Sequence, residues 1–391
     1  MNKIYLDNAA TTPVKKEVLD AMLPYFTENF GNPSSVYQLA QINKKAIDEA
    51  RETIAQHLGA NTNEIFFTGS GTEADNWAIK GIAEAYKNKG NHIITSKIEH
   101  HAVLHTCEYL EKQGYEITYL DVDSEGMVNP EDVKKAIKDT TILITIMYAN
   151  NEIGSIMPIE EIGQIAKAHQ IIFHTDAVQA VGQVKIDVKD QNIDLLSLSG
   201  HKICGPKGIG VLYIKRGIKI GPFIHGGAQE RGRRAGTENV PGIVGLGKAM
   251  ELAYSDFDAK ITKLTALRDE MIEGLIAHIP YCKLNGHKTK RLPNNINIAV
   301  EFVEGESLLL LLDMNGIAAS SGSACTSGSL DPSHVLLALG MPHEKAHGSV
   351  RFTLGEYNTK EEIDYVLEKM PQIVQRMRDM SPLYEEFLKT K

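Results

Sequence analysis

The sequence predicts an α/β protein: a mostly parallel seven-stranded sheet in a large domain, with a smaller α+β domain. Three observations carry that expectation. Seven short apolar segments alternate with helical ones between Ile65 and Ile214, and strands separated by helices build parallel sheets covered on both faces. The last two segments, Leu195–Leu198 and Val211–Ile214, are joined by a loop too short for a crossover helix, so one of them should run antiparallel. Composition then shifts near Ala259, where a second domain of α+β type is expected to begin; the expected boundaries are residues 15–258 for the large domain and 1–14 with 259–391 for the small one.

In chain order, Ile4–Leu6 reads as a short strand entering the small-residue turn DNAATTP, and a helix is expected over Lys16–Tyr25. GNPSS reads as a loop whose Ser35 caps the next helix. That helix carries apolar residues from Val36 to Leu58 at helical spacing and ends at Gly59. Strands are expected at Ile65–Thr68, Ile93–Thr95, Ile117–Leu120, Ile142–Met147 and Ile171–Thr175, before the two already named. Helices at Glu73–Tyr86, Val103–Lys112 and Ile159–His169 lie between them. After the long amphipathic stretch from Ile261 to Ile279 come strand Asn295–Ala299, helix Glu306–Met314, strand Ile317–Ser320, helix Ser333–Leu339, strand Val350–Leu354 and helix Glu361–Arg378. Thr359 and Glu362 form a capping box for the last helix.

Composition narrows the function classes. A 391-residue chain with 42% hydrophobic residues can bury substantial cores, and a net charge of −9 argues against a nucleic-acid footprint. The longest apolar run, Leu308–Leu312, is too short to span a bilayer, and the first residues show no export signal. Four scattered cysteines without a C-x-x-C pair suit a reduced, cytoplasmic protein.

Several stretches could carry chemistry. In DLLSLSGHKICGPKGIG a buried strand runs into a polar turn bearing Lys202. A lysine desolvated at a strand end loses its proton more easily, which makes Lys202 a candidate Schiff-base nucleophile, against the alternative of a surface lysine beside a turn. FFTGSGTEADN is a strand, a Gly-rich turn and a helix start, where the N–H groups of Gly71 and Thr72 and the Thr72 hydroxyl would bind a phosphate. It matches neither common nucleotide motif. Asp176 in IIFHTDAVQAVG, with Gln179 three residues on, could pair with a protonated ring nitrogen or serve as a helix cap. In KIEHHAVLH a histidine packed on a cofactor ring is favoured over a metal pair at His101 and His105, which lacks a third ligand. HEKAH at His343–His347 matches a zinc-protease pattern, but Gly340, Pro342 and Gly348 leave no room for a helix with apolar flanks, so no metal is expected. Cys325, in the small polar loop SSGSACTSGSLDP, is the thiol expected to react. Arg351 on a strand could clamp a substrate carboxylate or make a surface ion pair.

Taken together the chain resembles the NifS/IscS-type cysteine desulfurases, pyridoxal-phosphate enzymes of the class V aminotransferase family with the type I fold. YLDNAATTP, GNPSS, GSGTEADN, EHHAVL, NNEIG, HTDAVQ, SGHKICGPKGIG, GGAQERGRRAGTENV, SSGSACTSG and VRFTLG occur in the family's order along nearly the whole chain. The resemblance implies that Lys202 holds pyridoxal 5'-phosphate covalently, that Asp176 pairs with the ring nitrogen and Gln179 with the ring hydroxyl, and that His100 stacks on the ring. It implies that Gly71, Thr72, Ser199 and His201 hold the phosphate. Thr237 would reach the phosphate of the neighbouring subunit of a homodimer. Asn151 and Arg351 would bind cofactor or substrate carboxylate. Cys325 would take sulfur from L-cysteine, release L-alanine and pass its persulfide to an acceptor, either an iron–sulfur scaffold protein or a tRNA- or cofactor-thiolation protein. The long loop around Cys325 resembles the IscS/NifS group, whereas Tyr37 and Ala40 stand where the family commonly has histidine and glycine. A selenocysteine lyase or another aminotransferase-family enzyme would share Lys202 and Asp176, and a non-catalytic scaffold would need neither Lys202 nor Cys325.

Overall fold

The structure, a computed structural model, describes residues 3–321 and 332–390. Among them are twelve strands: β1 Ile4–Tyr5, β2 Ile65–Thr68, β3 His92–Ser96, β4 Glu116–Leu120, β5 Thr141–Thr145, β6 Ile172–Asp176, β7 Leu195–Ser199, β8 Gly210–Ile214, β9 Cys282–Leu284, β10 Asn295–Val300, β11 Ile317–Ala318 and β12 Ser349–Thr353. The large sheet has the order β2-β8-β7-β6-β5-β3-β4. Within it β8 runs antiparallel to both neighbours, β7 and β2, and every other pairing is parallel. This is the arrangement that the short link before β8 demands.

Alternation along each strand explains why both faces are covered. Ile94, Ile144, Phe173, Leu196 and Val211 face a core shared with the helices Gln38–Leu58 and Val240–Tyr254. Their sequence neighbours Ile93, Leu143, Ile172, Leu195 and Leu212 face the helix Gly71–Tyr86 with its fully buried Trp77. The period of two sends adjacent residues to opposite sides, so continuous apolar runs fit a sheet buried on both.

A second core gathers Ile4 and Leu6 with Leu264, Leu275, Ile298, Leu312, Phe352 and Val366. It lies against the antiparallel sheet β12-β10-β9 and the parallel pair β1-β11. Leu292, Val335, Leu336 and Ala346 belong instead to the large core, although they follow residue 259. The Thr359–Glu362 capping box forms as expected. No helix among the described residues is long and apolar enough to cross a membrane.

Three local expectations fail, each for a physical reason. The expected Lys16–Tyr25 helix is two, Lys16–Met22 and Pro24–Thr27, because Pro24 has no N–H to continue the first. Ser35 caps nothing; the helix starts at Gln38 after an extended Tyr37, and Val36 is 94% exposed. The stretch His343–His347 does form one helical turn, started by Pro342 and stopped by Gly348, with its histidine rings 4.8 Å apart. Among the described residues no group of three metal-ligating side chains gathers there or elsewhere.

Candidate active site

The carboxyl ends of β2, β3, β5, β6 and β7 point to one edge of the sheet, and β8 begins there because it runs the other way. Ligands of parallel sheets bind at that edge. The turns that follow these strands enclose a cavity of about 510 Å³, a size suited to a cofactor-sized molecule. Its lining includes Gly71, Thr72, His100, Asn151, Asp176, Gln179, Ser199, His201, Lys202 and Arg351. Ten residues marked by the sequence thus converge on one site.

Lys202 ends a short turn directly after β7. Its Nζ donates to the Ala10 carbonyl at 2.8 Å and to that of Ala9, both in the DNAATTP turn. Asp176 closes β6, and its carboxylate accepts the Val178 N–H at 2.9 Å. Burial raises its pKa to about 6, with the Val178 hydrogen bond and the charge of Lys202 pulling the other way. A cation at its far side would restore the ionised form. Gln179 donates to the Ala9 carbonyl at 3.1 Å.

His100 caps the helix His101–Glu111 by accepting the Ala102 N–H on Nδ1 at 3.1 Å. That acceptor role places its proton on Nε2. Burial, then the charges of Lys202 and neighbouring histidines, lowers its pKa to about 4, so the ring is neutral at pH 7. His101 and His105 stack beside it with ring centroids 4.8 Å apart.

The Gly-rich turn behaves as an anion cradle. Gly71 and Thr72 open the helix Gly71–Tyr86, and Ser70 caps it by accepting the Glu73 N–H at 3.0 Å. A Cβ on Gly71 would lie 2.7 Å from the Val178 side chain, so only glycine lets the two turns approach this closely. Ser199 lines the cavity beside Gly71, and His201 Nδ1 lies 3.1 Å from the Thr11 hydroxyl. Helix-start N–H groups, hydroxyls, a buried carboxylate and a tethered lysine match the phosphate, ring nitrogen and aldehyde of pyridoxal phosphate. These residues fit that group.

Other placements refine the expectations. Arg351 is 2% exposed and lines the cavity, but its guanidinium meets Asp7 at 2.9 Å and the Asn151 carbonyl at 2.9 Å. Asn151 therefore contributes a backbone oxygen to the same corner. Thr237 is exposed and lies outside the lining of its own chain's cavity. Cys325 lies outside the described residues. Sequence reasoning missed Asp75, Asp7 and Lys207. Asp75 was legible as a lone acid among Ala74, Ala78, Ile79 and Ile82 on an otherwise apolar helix face.

The chain matches the family model described as aminotransferase class-V over residues 4–366. It is 65% identical over 380 residues to cysteine desulfurase IscS of Methanosarcina thermophila, covering 97% of this chain and 94% of the relative. It is 62% identical to cysteine desulfurase IscS of Clostridium botulinum over 100% of this chain and 99% of that one. Among solved structures a NifS-like protein superposes with a TM-score of 0.90 at 38% identity, covering 95% of this chain and 99% of that one. A structure described as SspA in complex with cysteine matches at a TM-score of 0.81 and 41% identity, over 91% of this chain and all of the other.

Proposed function

Because the chain belongs to the class-V aminotransferase family, and within it to the cysteine desulfurases, we propose that its cavity removes sulfur from L-cysteine with pyridoxal phosphate. The observation that carries this reading is the convergence of Lys202, Asp176, His100 and the Gly71–Thr72 turn on one cavity. When bound, pyridoxal phosphate supplies an electron sink for the substrate's Cα.

Lys202 holds the cofactor and then serves as the base that moves the Cα proton. Asp176 keeps a negative charge against the ring nitrogen, and Gln179 orients the ring hydroxyl. Gly71, Thr72, Ser199 and His201 bind the phosphate, with Thr237 of the partner subunit in a homodimer. Asn151 and Arg351 orient the substrate carboxylate, which shares the guanidinium with Asp7. Neutral His100, on the ring face, moves a proton at the substrate sulfur. The Cys325 thiolate attacks that sulfur, the substrate's Cβ–S bond breaks, and alanine leaves while the enzyme keeps a persulfide. An acceptor protein then takes the sulfur in the cytoplasm, for iron–sulfur clusters or for thiolation of tRNA or a cofactor. Selenocysteine would use the same residues, and relative rates separate the two substrates.

Cys325→Ala tests the nucleophile. The variant should keep the cofactor's absorbance and form no persulfide, with sulfide release down on the order of 10³-fold or more. Full-rate sulfide release would reassign the nucleophile. Lys202→Ala should abolish turnover, and a purified wild-type protein that ignores added pyridoxal phosphate would overturn the reading.

A further inference from the structure

Three carboxyl groups lie buried near the cavity: Asp75 at 1% exposure and Asp176 at 6% line it, and Glu99 at 0% lies outside its lining. Each has a different environment. Glu99 accepts the Ser96 hydroxyl at 2.6 Å and the Met147 N–H at 3.0 Å. Asp176 accepts the Val178 N–H and feels the charge of Lys202. Asp75 Oδ1, among the described residues, has no hydrogen-bond partner at all. The one basic group within ion-pair range of Asp75 among the described residues is His174, at 3.6 Å.

His174 cannot serve as a counter-ion. It is fully buried, and desolvation lowers its pKa to about 3. Its ring is instead held between two hydroxyls, with Nδ1 2.8 Å from Thr145 Oγ1 and Nε2 3.0 Å from Ser197 Oγ. Asp75 Oδ1 lies 3.6 Å from the same Nε2 that Ser197 engages, so its carboxyl sits against that contact. Asp75 thus abuts a fully buried Ser197–His174–Thr145 chain. Three buried carboxyls, of which Asp176 alone feels a lysine's charge, cannot all stay ionised. The best-supported charges are on the groups with N–H donors and a nearby cation; the least supported is on Asp75.

We propose that Asp75 is a positioning residue: it stays the neutral acid, braces the Ser197–His174–Thr145 chain, and leaves Asp176 the single negative charge at the ring-nitrogen end. The cofactor half of this statement rests on the pyridoxal-phosphate reading above; the proton on Asp75 does not. Its consequence is electronic. A second carboxylate beside Asp176 would repel the first and draw its proton on, weakening its pairing with the ring nitrogen. An apolar side chain would unseat Ser197 and let Asp176 turn away. Desolvation, then repulsion from Asp176, raises the Asp75 pKa well above the usual carboxylate range, in line with the geometry.

Two measurements test the proposal. In cofactor-free protein, the infrared difference between wild type and Asp75→Asn should contain the carbonyl band of a protonated acid at pH 6 and at pH 8. Its absence at both would overturn the proposal, whether or not the protein binds pyridoxal phosphate. In the loaded protein, the ¹⁵N resonance of ring-labelled pyridoxal phosphate should move toward the unprotonated form in Asp75→Leu and return most of the way in Asp75→Asn. An unmoved resonance in Asp75→Leu would overturn the positioning role. If Asp75→Leu fails to fold, Asp75→Asn decides alone, because an ionised Asp75 would make that substitution shift both the resonance and its pH midpoint.

Discussion

Two buried charge clusters, one against β2 and one near the carboxyl ends of β3 and β6, are built on opposite principles. Arg51 and Glu230 are each 7% exposed and fully answered: Arg51 grips both Glu230 oxygens at 2.7 and 2.8 Å and the Ile65 carbonyl at 2.7 Å. Glu230 also accepts the Phe67 N–H at 2.9 Å, and the guanidinium lies over the Phe67 ring. Across the sheet's carboxyl edge, Asp75, Glu99 and Asp176 are all buried, and the charge of Lys202 acts on Asp176. A buried charge kept for architecture comes with its partners. A cluster with fewer cations than carboxyls suits a ligand that brings positive charge, as the proposed cofactor would.

The paired cluster should be the costlier one to break. Glu230 and Arg231 both sit in the left-handed region, at φ 47° and 59°, and the ion pair holds that bend. Glu230→Ala should cost about 3–5 kcal/mol, because it strands a buried Arg51 charge with only the neutral Ile65 carbonyl to answer it. Denaturant unfolding measures it. The double replacement Arg51→Met with Glu230→Met should recover most of the loss, and a midpoint unmoved by Glu230→Ala would erase the contrast between the clusters.

The unpaired cluster should respond in the opposite direction. Burial raises the Glu99 pKa from 4.5 to about 8. The folded chain therefore keeps a proton that the unfolded chain releases, so stability falls as pH climbs from about 4.5 to 8. Glu99→Gln removes that dependence. The variant should match wild type near pH 4 and exceed it by roughly 2–5 kcal/mol above pH 8. Parallel curves across that range would mean that Glu99 is ionised when folded, and the cluster would then need a second cation.

These contrasts also show what the sequence could reveal. Strands β2 to β8 were legible because each is a short apolar run bounded by helices or polar turns, and Lys202, Asp176 and His100 because each ends or follows such a run. Strand β9 and the helix Pro382–Lys389 were not, since Cys282–Leu284 is half-buried and the last helix buries no residue fully. Arg351 was legible as a strand arginine that could clamp a carboxylate or make a surface ion pair, but its buried tie to Asp7 spans 344 positions and goes with the bridge between Asp7 and Thr353. The role of Asp75 was hidden for a similar reason. Its meaning comes from Ser197 and His174, two strands that only the sheet order brings beneath the helix.

Between the extremes lies Arg234, which reaches both Glu73 oxygens at 2.8 and 3.1 Å with side chains 22% and 16% exposed. Glu73 in turn accepts the Gly69 N–H at 2.8 Å, beside the Gly71–Thr72 cradle. Thr237 follows three residues after Arg234, so this pair ties the exposed threonine to the phosphate turn. Water screens the pair, and Arg234→Met should cost only about 1 kcal/mol in unfolding. On the proposed reading, pyridoxal-phosphate retention should suffer more than the fold does, because the Gly71–Thr72 turn loses the tether at Glu73. Equilibrium dialysis of the loaded variant measures this. A variant that melts early yet holds its cofactor as tightly as wild type would show that Arg234 belongs with Arg51, on the architectural side of the comparison.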